Sequence, residues 1–129
     1  MVLVDTSVWI DMFRKGRRFQ IESLVALDEV VTCLPVIQEV LQGFHEESAY
    51  QVAHEAMFSF PVLESPLGAG VFEEAIDLYR SARRSGWTIR SSIDCLIAAC
   101  ALRHRFTVLH KDRDYDLLAR VSPLKSRRI

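Results

Sequence analysis

The chain opens on Val2-Leu3-Val4-Asp5-Thr6-Ser7, a short apolar strand that ends in an acidic residue and runs into the start of a helix. We take Val2–Asp5 as the strand, and Ser7 is a residue type that commonly caps a helix. A strand followed at once by a helix is typical of α/β proteins, in which helices cover both faces of a parallel sheet. Ligands bind such sheets at the carboxyl ends of the strands, so Asp5 is a candidate site residue.

The same alternation of strand and helix continues along the chain. Short apolar runs predict further strands at Val30–Leu34, Val62–Leu63 and Phe106–His110. Helical spacing predicts helices from Ser7 to about Phe13, Ile21 to Leu27, Pro35 to Gly43, Glu46 to Phe58, Val71 to Gly86, Ser91 to Leu102 and Tyr115 to Val121, with Lys15-Gly16-Arg17-Arg18 ending the first. We therefore predict one three-layer α/β/α domain over residues 1–129, with a central parallel sheet of four to five strands.

The overall charge of the chain is balanced, with a formal net charge of −1. This balance neither requires nor excludes a nucleic-acid partner. Basic residues do cluster, near the first helix (Arg14 to Arg18), near a later helix (Arg80 to Arg84) and at the C-terminus (Lys125 to Arg128). Such clusters are more often solvated surfaces than binding patches, although several of them around an acidic site favour the second interpretation.

Cysteine usage and hydropathy indicate the compartment. Cys33, Cys95 and Cys100 form no Cys-x-x-Cys pair, so we predict buried free thiols in a reducing environment and no zinc site. The N-terminus carries no positively charged leader, and no apolar run approaches the roughly 20 residues that span a bilayer. We predict a cytoplasmic protein without a membrane span.

Acidic residues recur at strand ends and helix starts. Asp5 closes the first strand, Glu39 lies in the helix that Leu34-Pro35 opens, Asp94 begins the most apolar helix, and Asp112 and Asp114 follow the strand that ends at His110. Carboxylates that converge in space repel one another unless a cation neutralises them, so this set predicts a site for a hard divalent metal. Because the chain has no phosphate-cradling loop, metal-assisted hydrolysis of a phosphodiester is the predicted chemistry.

Each of these acids also has a structural interpretation when it is taken alone. Asp5 suits a cap or a turn, and Glu39 suits an exposed helix face. Asp94 completes a capping box with Ser91, although Glu or Gln is the usual partner there. Asp116 is expected at the surface. The joint pattern favours the metal site, because separate turn residues would not all fall at the same type of junction.

Four stretches resemble, in order and spacing, the motifs of PIN-domain nucleases, and specifically those of VapC-type toxins of bacterial toxin–antitoxin pairs. The stretches are Val2–Ile10, Pro35–Gly43, Ser92–Ala99 and Val108–Tyr115, and together they extend over essentially the whole chain. Asp5, Glu39 and Asp94 match the family's acidic positions, whereas Asp112 and Asp114 both fit the fourth. The chain has Tyr115 where the family more often has Phe.

The resemblance implies an endoribonuclease that depends on Mg²⁺ or Mn²⁺, acts on RNA, is inhibited by a cognate antitoxin protein and forms a homodimer. It also implies roles for the acids. Asp5 and Asp94, with Asp112 or Asp114, would hold the metal directly or through water. Glu39 would bind the metal or orient the attacking water.

The resemblance points to one pair of residues that would contact the substrate, and the positions of basic residues in the sequence point to others. Thr6 or Ser7 would supply a hydroxyl near the metal or the scissile phosphate. Three basic residues adjoin the acids in sequence and are candidates to hold RNA phosphates: Arg90, Lys111 and Arg113. For each of them, an ordinary solvated surface charge is an at least equally good interpretation.

Other interpretations remain open from the sequence alone. A PIN-like module that binds RNA or protein without cleaving is the main alternative. A phosphohydrolase of the haloacid dehalogenase type needs a second Asp two residues after the first, and Ser7 stands there; the acids also do not match a receiver-type phosphoswitch. We expect a structural role for His110. We expect Trp9, Phe13 and Phe44 in the core, with an antitoxin-binding groove as the alternative.

Overall fold

A computed structural model describes residues 1–15 and 20–129, and within these ranges a parallel five-stranded sheet is flanked by six α-helices. The strands are β1 (Val2–Val4), β2 (Val30–Cys33), β3 (Val62–Leu63), β4 (Thr107–His110) and β5 (Lys125–Arg128). The helices are α1 (Thr6–Lys15), α2 (Leu34–Leu41), α3 (Glu47–Phe58), α4 (Ala69–Arg84), α5 (Ser92–His104) and α6 (Arg113–Val121). The predicted three-layer α/β/α architecture is confirmed.

The order of the strands in the sheet is β3-β2-β1-β4-β5, and every pair is parallel. The chain therefore leaves β1 toward one side to form β2 and β3, and returns to the other side of β1 to form β4 and β5. Strands β1 and β4 pair from Val2 with Thr107 to Val4 with Leu109. This reversal of strand order beside β1 is the point where open α/β sheets bind ligands.

The edge strand β5 is absent from the four strands that the apolar runs predict. Its sequence Lys125-Ser126-Arg127-Arg128 has no apolar residue, and its side chains are mostly exposed. The segment is a strand because its backbone pairs with β4, from Thr107 with Lys125 to His110 with Arg128. The sequence pattern does not indicate this pairing. Charged residues on an edge strand also hinder pairing with other chains.

The predicted helix from Ile21 to Leu27 is wrong. Two short 3₁₀ turns stand in its place, Ile21–Ser23 and Leu27–Glu29. A segment of this length does not repay the cost of helix nucleation, and burial of Ile21 and Val25 fixes it against the core instead. The break predicted at Lys15-Gly16-Arg17-Arg18, and most of the basic cluster there, lie outside the described residues.

Helix α5 is the central buried helix, as its all-round apolar sequence predicts. Seven of its residues are buried, from Asp94 to Ala101. The cysteines are free and buried, as expected. None of the helices in the described ranges is long and apolar enough to cross a bilayer.

Candidate metal centre

Three helix starts and two strand ends meet where β1 and β4 lie side by side. Asp5 follows β1 and immediately precedes α1, and Asp94 lies in the first turn of α5. Asp112 and Asp114 follow β4 at the start of α6. The backbone N–H of Asp5 donates to the carbonyl of Leu109 at 2.9 Å, which ties the end of β1 to β4. Unpaired N–H groups at helix N-termini favour negative charge at this edge of the sheet.

Asp94, Asp112 and Asp114 form a compact carboxylate group. Each offers one oxygen, and these oxygens all lie within 4.8 Å of one another. Asp94 is 7% exposed and Asp114 is fully buried. Within the described part of the chain, Asp94 Oδ2 and Asp114 Oδ1 are buried and make no hydrogen bond.

This group fits a hard divalent cation. Buried carboxylate oxygens without donors are costly unless a cation compensates them. Oxygen ligands lie about 2.0–2.1 Å from Mg²⁺, so opposite ligands are separated by about 4.2 Å. Adjacent ligands of an octahedral ion lie only about 3 Å apart, so the oxygens of Asp94, Asp112 and Asp114, which lie within 4.8 Å of one another, would draw closer together around a bound ion.

Asp112 and Asp114 both belong to the group, so the sequence ambiguity between them does not require a choice. Asp112 is the N-cap of α6, and its Oδ1 accepts the N–H of Asp114 at 2.9 Å. Asp114 Oδ2 accepts the N–H groups of Arg90 at 3.0 Å and Ser91 at 3.3 Å. These bonds leave Asp114 Oδ1 directed to the other acids.

The capping box that the sequence offers as an alternative role for Ser91 and Asp94 does not form. Ser91 is the N-cap residue of α5, but its side chain makes no capping hydrogen bond. In a capping box the N–H of Ser91 would go to the side chain of Asp94. Here that N–H goes to Asp114, which frees the Asp94 carboxylate for the acidic group.

Asp5 joins the group through a tyrosine. Its Oδ2 accepts the N–H of Ser7 at 3.0 Å and the hydroxyl of the same residue. Asp5, rather than Ser7, therefore supplies the side chain that caps α1, which begins at Thr6. Asp5 Oδ1 accepts the Tyr115 hydroxyl at 2.6 Å, and that hydroxyl lies 3.3 Å from Asp94 Oδ1. Burial, followed by the charges of Asp5 and Asp94, raises the pKa of Tyr115, so the hydroxyl stays protonated.

Glu39 lies close enough to Asp5 to feel its charge. Its Oε1 accepts the Thr6 hydroxyl at 2.8 Å. Burial is the main cause that raises the pKa of Glu39, with a smaller contribution from Asp5, whereas the bond from Thr6 lowers it. Glu39 is therefore a neighbour of the three-carboxylate group and does not lie within it.

Burial raises the pKa of Asp94 to about 8. The charge of Asp5, a hydrogen bond that the protonated Asp94 would make to Asp114, and the charges of Asp112 and Asp114 add to this effect. At neutral pH the metal-free site therefore holds a proton on Asp94. A cation that displaces this proton would let all the acids ionise together.

The three candidate basic residues have different surroundings. Arg90 is 64% exposed, with Nη2 3.9 Å from Asp112 Oδ1 and Nε 4.0 Å from Asp114 Oδ1. Lys111 Nζ pairs with Asp11 at 2.8 Å, and the backbone N–H of Lys111 donates to the Ser7 hydroxyl. Arg113 is exposed and forms no ion pair with the residues that the structure describes. Of the three candidates, Arg90 is thus the basic side chain that lies beside Asp112 and Asp114.

His110 is part of the support for these acids, which the sequence does not indicate beyond a structural role at the end of β4. The side chain is fully buried, and its Nδ1 accepts the N–H of Asp112 at 3.2 Å. Burial lowers the pKa of His110, so the imidazole is neutral and carries its proton on Nε2. Nε2 lies 3.6 Å from Asp116, which is 38% exposed and pairs with Arg128 at 2.8 Å. Asp116 therefore lies partly at the surface, as expected, and partly against His110.

Comparisons with known proteins agree with this geometry. The model of the PIN domain family matches residues 2–121. Ribonuclease VapC11 of Mycobacterium tuberculosis is 36% identical over 131 residues, which cover 98% of this chain and 97% of that relative. Ribonuclease VapC51 of the same organism is 31% identical over 93% of this chain and 86% of its own length.

A solved structure shares the fold along the whole chain. VapBC2 of Rickettsia felis, crystallised with a DNA fragment from its promoter, superposes with a TM-score of 0.75 at 15% identity. The match covers 100% of this chain and 99% of that one. Sequence, fold and comparisons lead to one conclusion: the chain belongs to the PIN-domain family and is of the VapC type.

Proposed function

We propose that residues 1–129 form a single nuclease domain that acts as the endoribonuclease of a toxin–antitoxin pair and hydrolyses RNA phosphodiester bonds with the help of Mg²⁺ or Mn²⁺. The observation that carries the proposal is the group of Asp94, Asp112 and Asp114, with its two buried oxygens that lack hydrogen-bond partners. The name of the 36% identical relative, a ribonuclease, supports RNA as the substrate.

The proposal assigns a different role to each group of acidic residues in the site. Asp94, Asp112 and Asp114 hold the cation, and Asp5 completes the negative charge beside them. A divalent cation bound there activates water and stabilises charge on the phosphate and the leaving oxygen. Glu39, whose Oε1 accepts the Thr6 hydroxyl, would accept a proton from the attacking water or orient it.

Basic side chains at the rim would contact the RNA backbone. Arg90 is the principal candidate, because its exposed guanidinium lies 3.9 Å from Asp112 Oδ1 and 4.0 Å from Asp114 Oδ1. Arg113 is exposed and available, whereas Lys111 would first have to leave Asp11. Ser7 bonds both Asp5 and the backbone of Lys111, so its contribution is to hold the two strand ends together.

RNA cleavage by purified, antitoxin-free protein tests this function. We expect cleavage in Mn²⁺ or Mg²⁺ that EDTA abolishes and that Asp114→Asn lowers by about 10²–10³-fold. Asp28→Asn is the matched control, because Asp28 is exposed on a 3₁₀ turn away from the site. Cleavage that persists in EDTA would contradict the proposal. Cation binding without cleavage of any RNA would favour the binding module instead.

An antitoxin is the expected protein partner. Several solved structures of this fold are complexes, among them VapBC-5 of Mycobacterium tuberculosis, described as a member of a family of toxin–antitoxin systems. Trp9 is core, buried with its Nε1 donating to Val4, as expected. Phe13 and Phe44 also pack against the core, but they line a groove of about 310 Å³ between α1 and α2. An apolar segment of an antitoxin fits this groove.

A homodimer is the second assembly in the proposal, and the surface of α4 supports it. Phe72 and Ile76 are 46% and 56% exposed on one face of this helix and border a cavity of about 350 Å³ against α5. Helical spacing places Glu73, in the first half of α4, and Arg80, in its second half, on the same face. Antiparallel pairing of two copies about Ile76 would place Glu73 of one copy beside Arg80 of the other, as a two-fold interface requires.

Ile76→Asp tests this surface. We expect the variant to run as a monomer at protein concentrations where the wild type is a dimer, because a desolvated charge at the centre of an apolar contact is costly. Sedimentation or light scattering measures the change. Val52→Asp on α3 is the control, since Val52 is 70% exposed and lies on another helix. A dimer that survives Ile76→Asp unchanged would rule out the α4 face.

A further inference from the structure

The hydroxyl of Tyr115 is enclosed between two carboxylates. The side chain is fully buried, and its oxygen lies 2.6 Å from Asp5 Oδ1 and 3.3 Å from Asp94 Oδ1. A phenylalanine at this position would fill the same ring volume without the hydrogen bond. Packing alone therefore does not explain the tyrosine.

The ring of Tyr115 packs against the imidazole of His110, with the two ring centroids 5.0 Å apart and the rings tilted by 43°. His110 in turn accepts the N–H of Asp112 through Nδ1 at 3.2 Å. Tyr115 thus contacts the Asp5 and Asp94 side of the acidic group, and His110 contacts the Asp112 side. Both side chains are fully buried, so the surrounding packing restrains their orientation.

We propose that Tyr115 and His110 are positioning residues that set the carboxylates of this site for cation binding. Tyr115 holds Asp5 Oδ1 and faces Asp94 Oδ1, so that Asp94 Oδ2 is left free toward Asp112 and Asp114. His110 fixes the backbone of Asp112, whose Oδ1 also accepts the N–H of Asp114. The inference rests on the proposed metal-dependent function and deepens it.

The geometry explains why loss of the hydroxyl would weaken cation binding. Without it, Asp5 Oδ1 loses its donor and Asp94 Oδ1 loses the contact that holds it on the Asp5 side of the acidic group. Asp94 Oδ2 and Asp114 Oδ1 would then no longer be held in a fixed relation before the cation arrives. Partners of this kind typically change metal affinity by about 10–100-fold when they are removed.

Mn²⁺ binding to Tyr115→Phe, followed by electron paramagnetic resonance of the free ion, tests the role of Tyr115. We expect the affinity to fall at least about tenfold. Tyr50→Phe is the matched control, because Tyr50 lies on α3 and contacts His54, away from the acids, and its affinity should equal that of the wild type. Circular dichroism in EDTA verifies that each variant is folded. Unchanged or tighter binding by folded Tyr115→Phe would overturn the role of Tyr115.

A pair of substitutions at His110 tests the second residue and does not depend on the first variant. His110→Leu removes the acceptor for the Asp112 N–H, and we expect Mn²⁺ affinity to fall about tenfold. His110→Asn places an amide oxygen near the position of Nδ1 and should recover most of that loss. Rescue by Asn separates positioning of Asp112 from simple filling of the core. Equal losses in both variants would overturn the role of His110.

The same titrations separate this inference from the proposed function. Wild-type protein that binds Mn²⁺ and cleaves RNA, beside Tyr115→Phe and His110→Leu variants with unchanged affinity, would overturn the inference and leave the function intact. Wild-type protein that binds no Mn²⁺ would overturn the metal-dependent function, and the positioning roles with it.

Discussion

Asp94→Asn is expected to abolish RNA cleavage and, in the same protein, to raise the melting temperature of the metal-free form at about pH 8. The loss of activity should reach about 10³-fold, because the variant removes a charged cation ligand. The gain in stability follows from the pKa of Asp94, which burial and the neighbouring acids raise to about 8. An amide at this position carries no charge to be buried.

The sign of the pH dependence follows from the same shift. A raised carboxyl pKa means that the folded state prefers the protonated form. The stability associated with that proton is complete below the ordinary pKa of 3.8 and is lost as the pH rises through about 8. We expect Asp94→Asn to remove most of this slope and to gain about 1–3 kcal/mol at the alkaline end, roughly 3–15 °C.

Thermal unfolding in EDTA at several pH values, with cleavage assays on the same preparations, measures both effects. Asp28→Asn serves as the control, since its exposed carboxylate should affect neither quantity. A variant that melts below the wild type at about pH 8 would contradict the destabilising burial of the Asp94 carboxylate. A variant that keeps more than about a tenth of the activity would show that Asp94 is not an essential cation ligand.

Mn²⁺ is expected to stabilise the wild-type protein strongly at about pH 8 and weakly at about pH 5. A cation present at about 100 times its dissociation constant adds about 2.7 kcal/mol, or roughly 8–13 °C for a chain of this size. Carboxylates must lose their protons to bind a metal, and at the lower pH Asp94 retains its proton. Affinity should therefore fall by at least about tenfold between the two conditions.

The melting temperature with and without Mn²⁺ measures this difference at each pH. Asp94→Asn is the diagnostic variant, because it should lose most of the Mn²⁺ effect at both pH values. A thermal shift of equal size at both pH values in the wild type would mean that Asp94 is not the proton-linked ligand. A shift that survives in Asp94→Asn would place the cation elsewhere.

Much of the fold was predictable because apolar patterning reports burial. The strands Val30–Cys33 and Thr107–His110 are buried on both faces and appear in the sequence as apolar runs. Strand β5 has no such pattern, because an exposed edge strand is ordered by pairing alone. The helix predicted from Ile21 to Leu27 was wrong because its apolar residues are buried without being helical. They hold a short 3₁₀ turn against the core.

The acids of the site were predictable as types and junctions, but their arrangement was not. Residue order does not show that Asp114 takes the N–H of Ser91 and so frees Asp94. Nor does it show that Tyr115 joins Asp5 to Asp94, because that contact links positions 110 residues apart. The tyrosine in place of the commoner phenylalanine was the only signal in the sequence.

The position of the cation itself tests the account most directly. Crystals of the wild-type protein grown with Mn²⁺ should show an anomalous scattering peak bounded by Asp94 Oδ2, Asp114 Oδ1 and the carboxylate of Asp112, at about 2.0–2.4 Å from the nearest oxygens. The peak should be absent from Asp94→Asn. A peak away from these three carboxylates, or none in a protein that still cleaves RNA, would contradict the central claim.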